Sequence, residues 1–201
     1  MQKGQPVSTR ILIDRLKVLI SRKHAAQKNN DYASVMRTLN GDVIVTELSN
    51  GCCIVDDLFI KTFGHPAPTH GQHVVTFCKV LDGSYRVVNY LNYWVKDDAC
   101  YIGGAITDKN ILKNSISTPL LESITAQGGL SKLSIMYTVE NQLRHISAVF
   151  GHTEVPRSLQ VILEIGFVAT TEPALYVKWA PGVSEQRKDE LVAQAVAIGP
   201  F

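Results

Sequence analysis

Apolar positions change period several times along the chain, and each change marks an element. Between residues 8 and 27, Leu12, Leu16, Leu19 and Ile20 share one helical face while Arg15, Arg22 and Lys23 fall mostly opposite. This predicts an amphipathic helix with Ser8 as its N-cap. Asp31 caps a second, short helix through Val35, Met36 and Leu39, which Asn40-Gly41 ends. From residue 41 the pattern becomes extended, and GDVIVTEL and GCCIVDDLFI, separated by Ser49-Asn50-Gly51, are predicted to pair as a hairpin of two strands. Residues 64–73 hold two prolines, two glycines and three histidines and form a loop.

A second hairpin follows in HVVTFCKVL and SYRVVNYLNYWV, turning at Asp82-Gly83, and Asp97-Asp98 leads into the strand ACYIGGAITD. Gly103 and Gly104 weaken an ordinary strand, so they point to a bulge or to close approach by a ligand. Residues 109–126 are helical in parts, with Pro119 near the start of TPLLESITA, and Gln127-Gly128-Gly129 interrupts them. A longer helix runs from Ser131 to about Leu143. Ala148, Val149 and Phe150 form a short strand that Gly151 ends, and Pro156 opens a helix carrying Leu159, Ile162 and Leu163. Gly166 suits a left-handed cap, and Leu175, Val177 and Trp179 alternate as a strand. Ser184 caps a last helix whose Leu191, Ala195 and Ile198 face inward, and Gly199-Pro200 stops it. The order is two helices, a meander of about five strands, two helices, then strand, helix, strand, helix. It predicts an α/β (α+β) fold with a mixed, mostly antiparallel central sheet flanked by helices.

Composition narrows the class. A chain of 201 residues forms one domain, or one with an appendage, and buries a core without disulfides. With 45% hydrophobic and 19% charged residues it reads as folded and soluble, and a net charge of +2 without a dense Lys/Arg block argues against nucleic acid as a partner. MQKGQPVSTR lacks the apolar core of a secretory signal and no apolar run reaches membrane-span length, so a cytoplasmic protein away from membranes is expected. Cys52, Cys53, Cys78 and Cys100 sit in apolar, strand-like runs without Cys-x-x-Cys spacing and are read as four buried thiols.

The stretch AVFGHTEVPRSLQVILEIGFVATTEPALYVKW, residues 148–179, resembles the C-terminal half of a GNAT-type N-acetyltransferase in its strand, loop, helix, strand order. The resemblance covers about residues 74–179. It implies one GNAT-like domain over 1–201, with an N-terminal helical pair at 1–40 and a strand meander at 41–108. Residues 109–201 then hold the cofactor-binding helix, the strand-helix-strand unit and the C-terminal helix. It further implies an acyl-CoA cofactor, acetyl-CoA first, and an amine acceptor on a small molecule or protein, and it leaves a homodimer open. In such a fold a central strand splays from its neighbour and lends its backbone to the pantetheine arm. A glycine-rich turn at a helix N-terminus receives the pyrophosphate, where free N–H groups and the dipole favour phosphate. Carried onto this sequence, the strand residues are Ala105, Ile106 and Thr107, and the turn is Gln127, Gly128, Gly129, Leu130 and Ser131. The family's usual turn, Gln/Arg-x-x-Gly-x-Gly/Ala directly after the strand, is here Gln127-Gly128-Gly129 after some 18 intervening residues.

Acyl transfer to an amine needs a base and an acid for the leaving thiolate. His152 and Glu154, following the strand at 148–150, are the proton-transfer candidates, and the helix from Arg157 to Ile165 contains no Tyr for the acid role. Lys109, Lys113 and Lys132 are read either as phosphate contacts or as surface lysines. Tyr90, Tyr93 and Trp94 either line an acceptor pocket or belong to the core. His65, His70 and His73 are irregularly spaced in a loop and are read as solvent-exposed rather than as a metal site. Cys52-Cys53, placed in a strand, has no helix start to stabilise a thiolate. A second reading keeps the architecture without the chemistry: an inactive GNAT-like binding or interaction module.

Overall fold

The computed structural model describes residues 31–48 and 51–201; the helix expected over 8–27 lies outside the described residues. The described chain opens with α1 (Tyr32–Thr38), which Asp31 caps by accepting a bond from the Ser34 N–H, and Asn40 and Gly41 leave it with positive φ. After β1 (Val43–Glu47) comes α2 (Gly51–Phe63), then β2 (Gln72–Lys79), β3 (Tyr85–Lys96) and β4 (Ala99–Thr107). Three helices follow: α3 (Lys109–Asn114), α4 (Thr118–Ala126) and α5 (Leu130–Gln142). The chain ends with β5 (Ala148–His152), α6 (Pro156–Ile165), β6 (Val168–Ala169), β7 (Leu175–Trp179) and α7 (Glu185–Ile198).

The helix α2 corrects the strand expected over residues 51–60, so the meander at 41–108 is interrupted. Cys52, Val55 and Phe59 are its buried positions and recur at helical spacing, while Cys53, Ile54 and Asp57 face outward. A short apolar run fits either period, and here the sheet decides. Val75, Tyr90 and Ile106 present an apolar patch that the Cys52, Val55 and Phe59 face covers. Two further corrections follow: Cys53 is exposed rather than buried, and Cys52-Cys53 lies in the first turn of a helix. The Cys53 thiol is nonetheless raised, chiefly by its contact with Cys52, so no thiolate is favoured there.

All other predicted elements of the described chain are present, and the two-residue β6 was not foreseen. The seven strands form one sheet in the order β1-β2-β3-β4-β5-β7-β6. Every pairing is antiparallel except β4 with β5, which is parallel and has the long crossover through α3, α4 and α5 that a parallel pair needs. One face is covered by α1, α4, α5 and α6, the other by α2 and α7. Helix α5 is buried on nearly every side, which explains why its sequence lacks a one-sided apolar stripe. Gly166 ends α6 in the left-handed conformation, and the Lys178 ammonium donates to the Ile165 carbonyl beside it.

Candidate functional site

The parallel ladder between β4 and β5 runs from Ala99–Ala148 to Ile102–Gly151 and stops there, although β4 continues to Thr107. Beyond Ile102 the β5 side of β4 therefore has no strand partner among the described residues. Asp108 donates its N–H to Val88 on β3, so by antiparallel alternation Ile106 also turns its peptide groups toward β3. Ala105 and Thr107 turn theirs the other way, into the opening. The expected bulge is also present. Asn92 alone lies between the pairs Leu91–Ala105 and Tyr93–Ile102, whereas β4 spends Gly103 and Gly104 on the same interval.

The turn from α4 into α5 meets this opening. Gly128 and Gly129 both have positive φ, 90° and 93°, and Gly129 is the N-cap of α5, with no side chain bonding the first-turn N–H groups among the described residues. The Thr107 hydroxyl lies 3.3 Å from the Ser131 hydroxyl. Asn89 ties the two together: its side-chain N–H₂ donates to the Ile106 carbonyl at 2.9 Å and Thr107 Oγ1 at 2.8 Å, and lies 3.2 Å from Ser131 Oγ. Its Oδ1 accepts from Ser134 Oγ, which in turn lies 3.0 Å from Thr76 Oγ1. Asn89, Ser134 and Thr76 are fully buried, so the network is closed from water and rigidifies the helix start against three strands. Sequence reasoning missed these three residues. Their only signal was a polar side chain at each position where the apolar pattern expects a core residue.

Of the candidate cofactor residues, Ala105, Ile106, Thr107 and the turn Gln127–Ser131 are thus assembled at one place, with Leu130 buried beneath the turn. His152 stands at the same opening from the other side. It is the last residue of β5, paired with Leu175, rather than part of a loop, and its ring lies 6.2 Å from that of Phe201. Glu154 is exposed in the segment between β5 and α6. Lys132 is buried at the edge of the turn, its ammonium 3.0 Å from the Glu164 carboxylate on α6, whereas Lys109 and Lys113 are exposed on α3. Tyr90 and Tyr93 are core residues on opposite faces of the sheet. Tyr93 donates to Glu47 at 2.6 Å and accepts from Gln142 at 2.8 Å, and burial pushes both phenols up.

The three histidines separate onto three aromatic partners, and His73 corrects the solvent-exposed loop reading, since it lies in β2 and is buried. His65 stacks on Phe63, His70 meets the edge of Trp94, and His73 is buried with Nδ1 2.7 Å from the Tyr90 hydroxyl. Among the described residues no group of three His, Cys, Asp or Glu side chains is placed to hold a metal ion. No helix among them is long and apolar enough to cross a membrane. An open groove of about 680 Å³ lies between the β6–β7 unit and α7, near Thr170, Glu172, Trp179, Lys188 and Val192, and no residue of the β4–β5 opening lines it.

No protein-family model matches the sequence, and no curated protein matches it significantly. Solved structures do. The ribosomal-protein-S18-alanine N-acetyltransferase from Escherichia coli superposes with a TM-score of 0.50 at 9% identity, over 71% of this chain and 97% of that one. The ribosomal-protein-S5-alanine acetyltransferase from Vibrio fischeri gives a TM-score of 0.47 at 10% identity, over 71% and 96%. The shared property is the fold. With the seven described strands forming a mixed sheet that is parallel only between β4 and β5, the chain has a GNAT-like fold.

Proposed function

We propose that this protein is an acyl-CoA-dependent N-acyltransferase, with acetyl-CoA the first donor to test, acting on an amine of a small molecule or protein. The observation that carries the reading is the meeting of Thr107 with Ser131. It brings the unpaired edge of β4 and the uncapped start of α5 within one hydrogen bond of each other.

The donor set suits the cofactor. Ala105 and Thr107 face the opening with backbone groups that a pantetheine amide pairs with, and the N–H groups at Gly129 to Ser131 form an anion-binding helix start. An acyl-CoA supplies a thioester whose C–S bond breaks as the C–N bond to the amine forms, the amine losing a proton to a base and the thiolate gaining one. His152 would hold that amine proton, a reading supported by its closing β5 at the opening; Glu154, two residues further along, is the alternative. The free state of all four cysteines fits the reducing cytoplasm as location.

A second reading, an inactive module of the same fold, is favoured by one observation: α6 offers no Tyr to protonate the thiolate. Isothermal titration with coenzyme A and a thiol-release assay across an amine panel separate the two. The panel includes a peptide with a free N-terminal alanine. Micromolar binding with amine-dependent thiol release is the expected result. Binding without release leaves the module, and absence of binding removes acyl transfer and leaves only the shared architecture.

A further inference from the structure

Cys52 and Cys53 lie side by side in the first turn of α2, and their sulfurs are 3.9 Å apart. Neighbouring residues on a helix diverge by about 100° around its axis, so successive side chains do not ordinarily face each other. Here they converge. The Cys52 side chain is 6% exposed and belongs to the packed cluster of Val55, Val75 and Tyr90, whereas Cys53 is exposed. A reagent arriving from solvent therefore meets the Cys53 sulfur first and has a second, fixed sulfur one contact behind it. The same contact is the largest cause of the raised Cys53 thiol.

The spacing selects the chemistry. A disulfide needs its sulfurs about 2 Å apart, so direct oxidation has to draw this pair together by roughly another 2 Å within a helical turn. One atom bonded to both sulfurs needs no such movement. Two bonds of about 2.3 Å, the length a thiolate makes to zinc, reach across the 3.9 Å gap. Zinc itself takes four ligands, and among the described residues no third His, Cys, Asp or Glu is placed to join the pair. The centre that fits is one satisfied by two protein sulfurs because it carries a third substituent of its own. Cys78 and Cys100 offer no competing pair. They are buried on β2 and β4, and burial pushes both thiols up, Cys78 to about 12.

We infer that Cys52 and Cys53 form a dithiol site for a trivalent arsenical bearing one organic group. The step is a condensation. The Cys53 sulfur and then the Cys52 sulfur bond to arsenic, the arsenic–oxygen bonds of R–As=O break, and the oxygen leaves as water with both thiol protons. Arsenic stays trivalent, and nothing is oxidised or reduced. Two neutral thiols complete this balance, so the raised Cys53 thiol slows the first bond without opposing the product. Soft sulfur ligands select soft centres, which favours arsenic over the hard cations that oxygen ligands hold. The site stands apart from acyl transfer and does not depend on it.

The test uses the reduced full-length protein and phenylarsine oxide, read by intact-mass spectrometry after desalting. The expected result is one adduct per chain that survives excess glutathione, a monothiol, and is removed by dimercaptopropanol, a competing dithiol. Cys52→Ser and Cys53→Ser each weaken binding at least about 100-fold, since the second sulfur acts as a linked group at high effective concentration. An adduct that glutathione strips from the wild type overturns the inference, as does one that both variants retain undiminished. Cys53 is exposed, so Cys53→Ser leaves the core untouched. The glutathione comparison needs only the wild type and stands even if Cys52→Ser does not fold.

Discussion

Thr107 and Ser131, 24 residues apart in sequence, meet hydroxyl to hydroxyl at 3.3 Å, and the side-chain amide of Asn89 reaches both. Through this contact the end of a strand and the start of a helix, separated by the two helices α3 and α4, become one surface. The geometry of the candidate site depends on a residue buried beneath it.

Asn89→Ala removes the donor to Ile106 and Thr107 and the acceptor for Ser134 in a fully buried place. Several polar atoms lose partners at once, so a loss of about 2–4 kcal/mol is expected in urea unfolding. Coenzyme A affinity, read by calorimetry on the folded fraction, falls as well because the start of α5 is no longer held to β4. Unchanged stability would mean that the network is not closed as described.

Gly103→Ala places a methyl group 2.8 Å from Asn92 Oδ1 and must push a buried carboxamide aside, a cost of about 1–3 kcal/mol. Gly104→Ala meets the same oxygen only at 3.7 Å, and the lost chain entropy of the unfolded state makes it neutral or stabilising by up to about 1 kcal/mol. Thermal melts of the two variants therefore diverge in opposite directions. Equal effects would contradict the bulge geometry.

Burial, followed by the nearby His70, holds His73 below its ordinary value of 6.5, with Glu47 acting the other way. The unfolded chain therefore takes up this proton first as the pH falls. Stability is fully present above about pH 6.5 and is lost as the pH drops through the lower folded value, by about 1.4 kcal/mol for each unit of depression. His73→Gln keeps a partner for Tyr90 without titrating, so it flattens this part of the curve between about pH 7.5 and about pH 5.5. The other histidines titrate in both proteins, which makes the difference between the two the measurement. Parallel curves would show that His73 charges as readily folded as unfolded.

His152→Ala is expected to lower kcat about 100-fold in the thiol-release assay while leaving coenzyme A affinity unchanged, the signature of a lost proton acceptor. A kcat within a few-fold of wild type would move the role to Glu154.

Much of the architecture was legible because local chemistry and tertiary need agree over long segments. Asp31 and Ser184 cap helices as their side chains suggest, Gly166 ends α6 at φ 95°, and Asp82-Gly83 joins β2 to β3. The failure at residues 51–60 has the opposite cause. Nine residues of mixed apolar and acidic character satisfy either period, and only the patch formed by Val75, Tyr90 and Ile106 selects the helix. His152 was misplaced for a smaller reason: Gly151 reads as a strand stop, yet the ladder to β7 carries the strand one residue further.

The sequence by itself determined the order of helices and strands after residue 64, apart from the two-residue β6 and the division of residues 109–126 into two helices, and it determined the glycine pair in β4 and the glycine turn before α5. Each follows from side-chain period and backbone freedom within a few neighbouring residues. Tertiary structure alone decided that β4 outruns β5, that Asn89 joins Thr107 to Ser131, and that Asn92 lies buried over Gly103 with an oxygen that has no partner among the described residues. Those relations depend on strand register and on contacts between residues distant in the chain, and no local pattern encodes them.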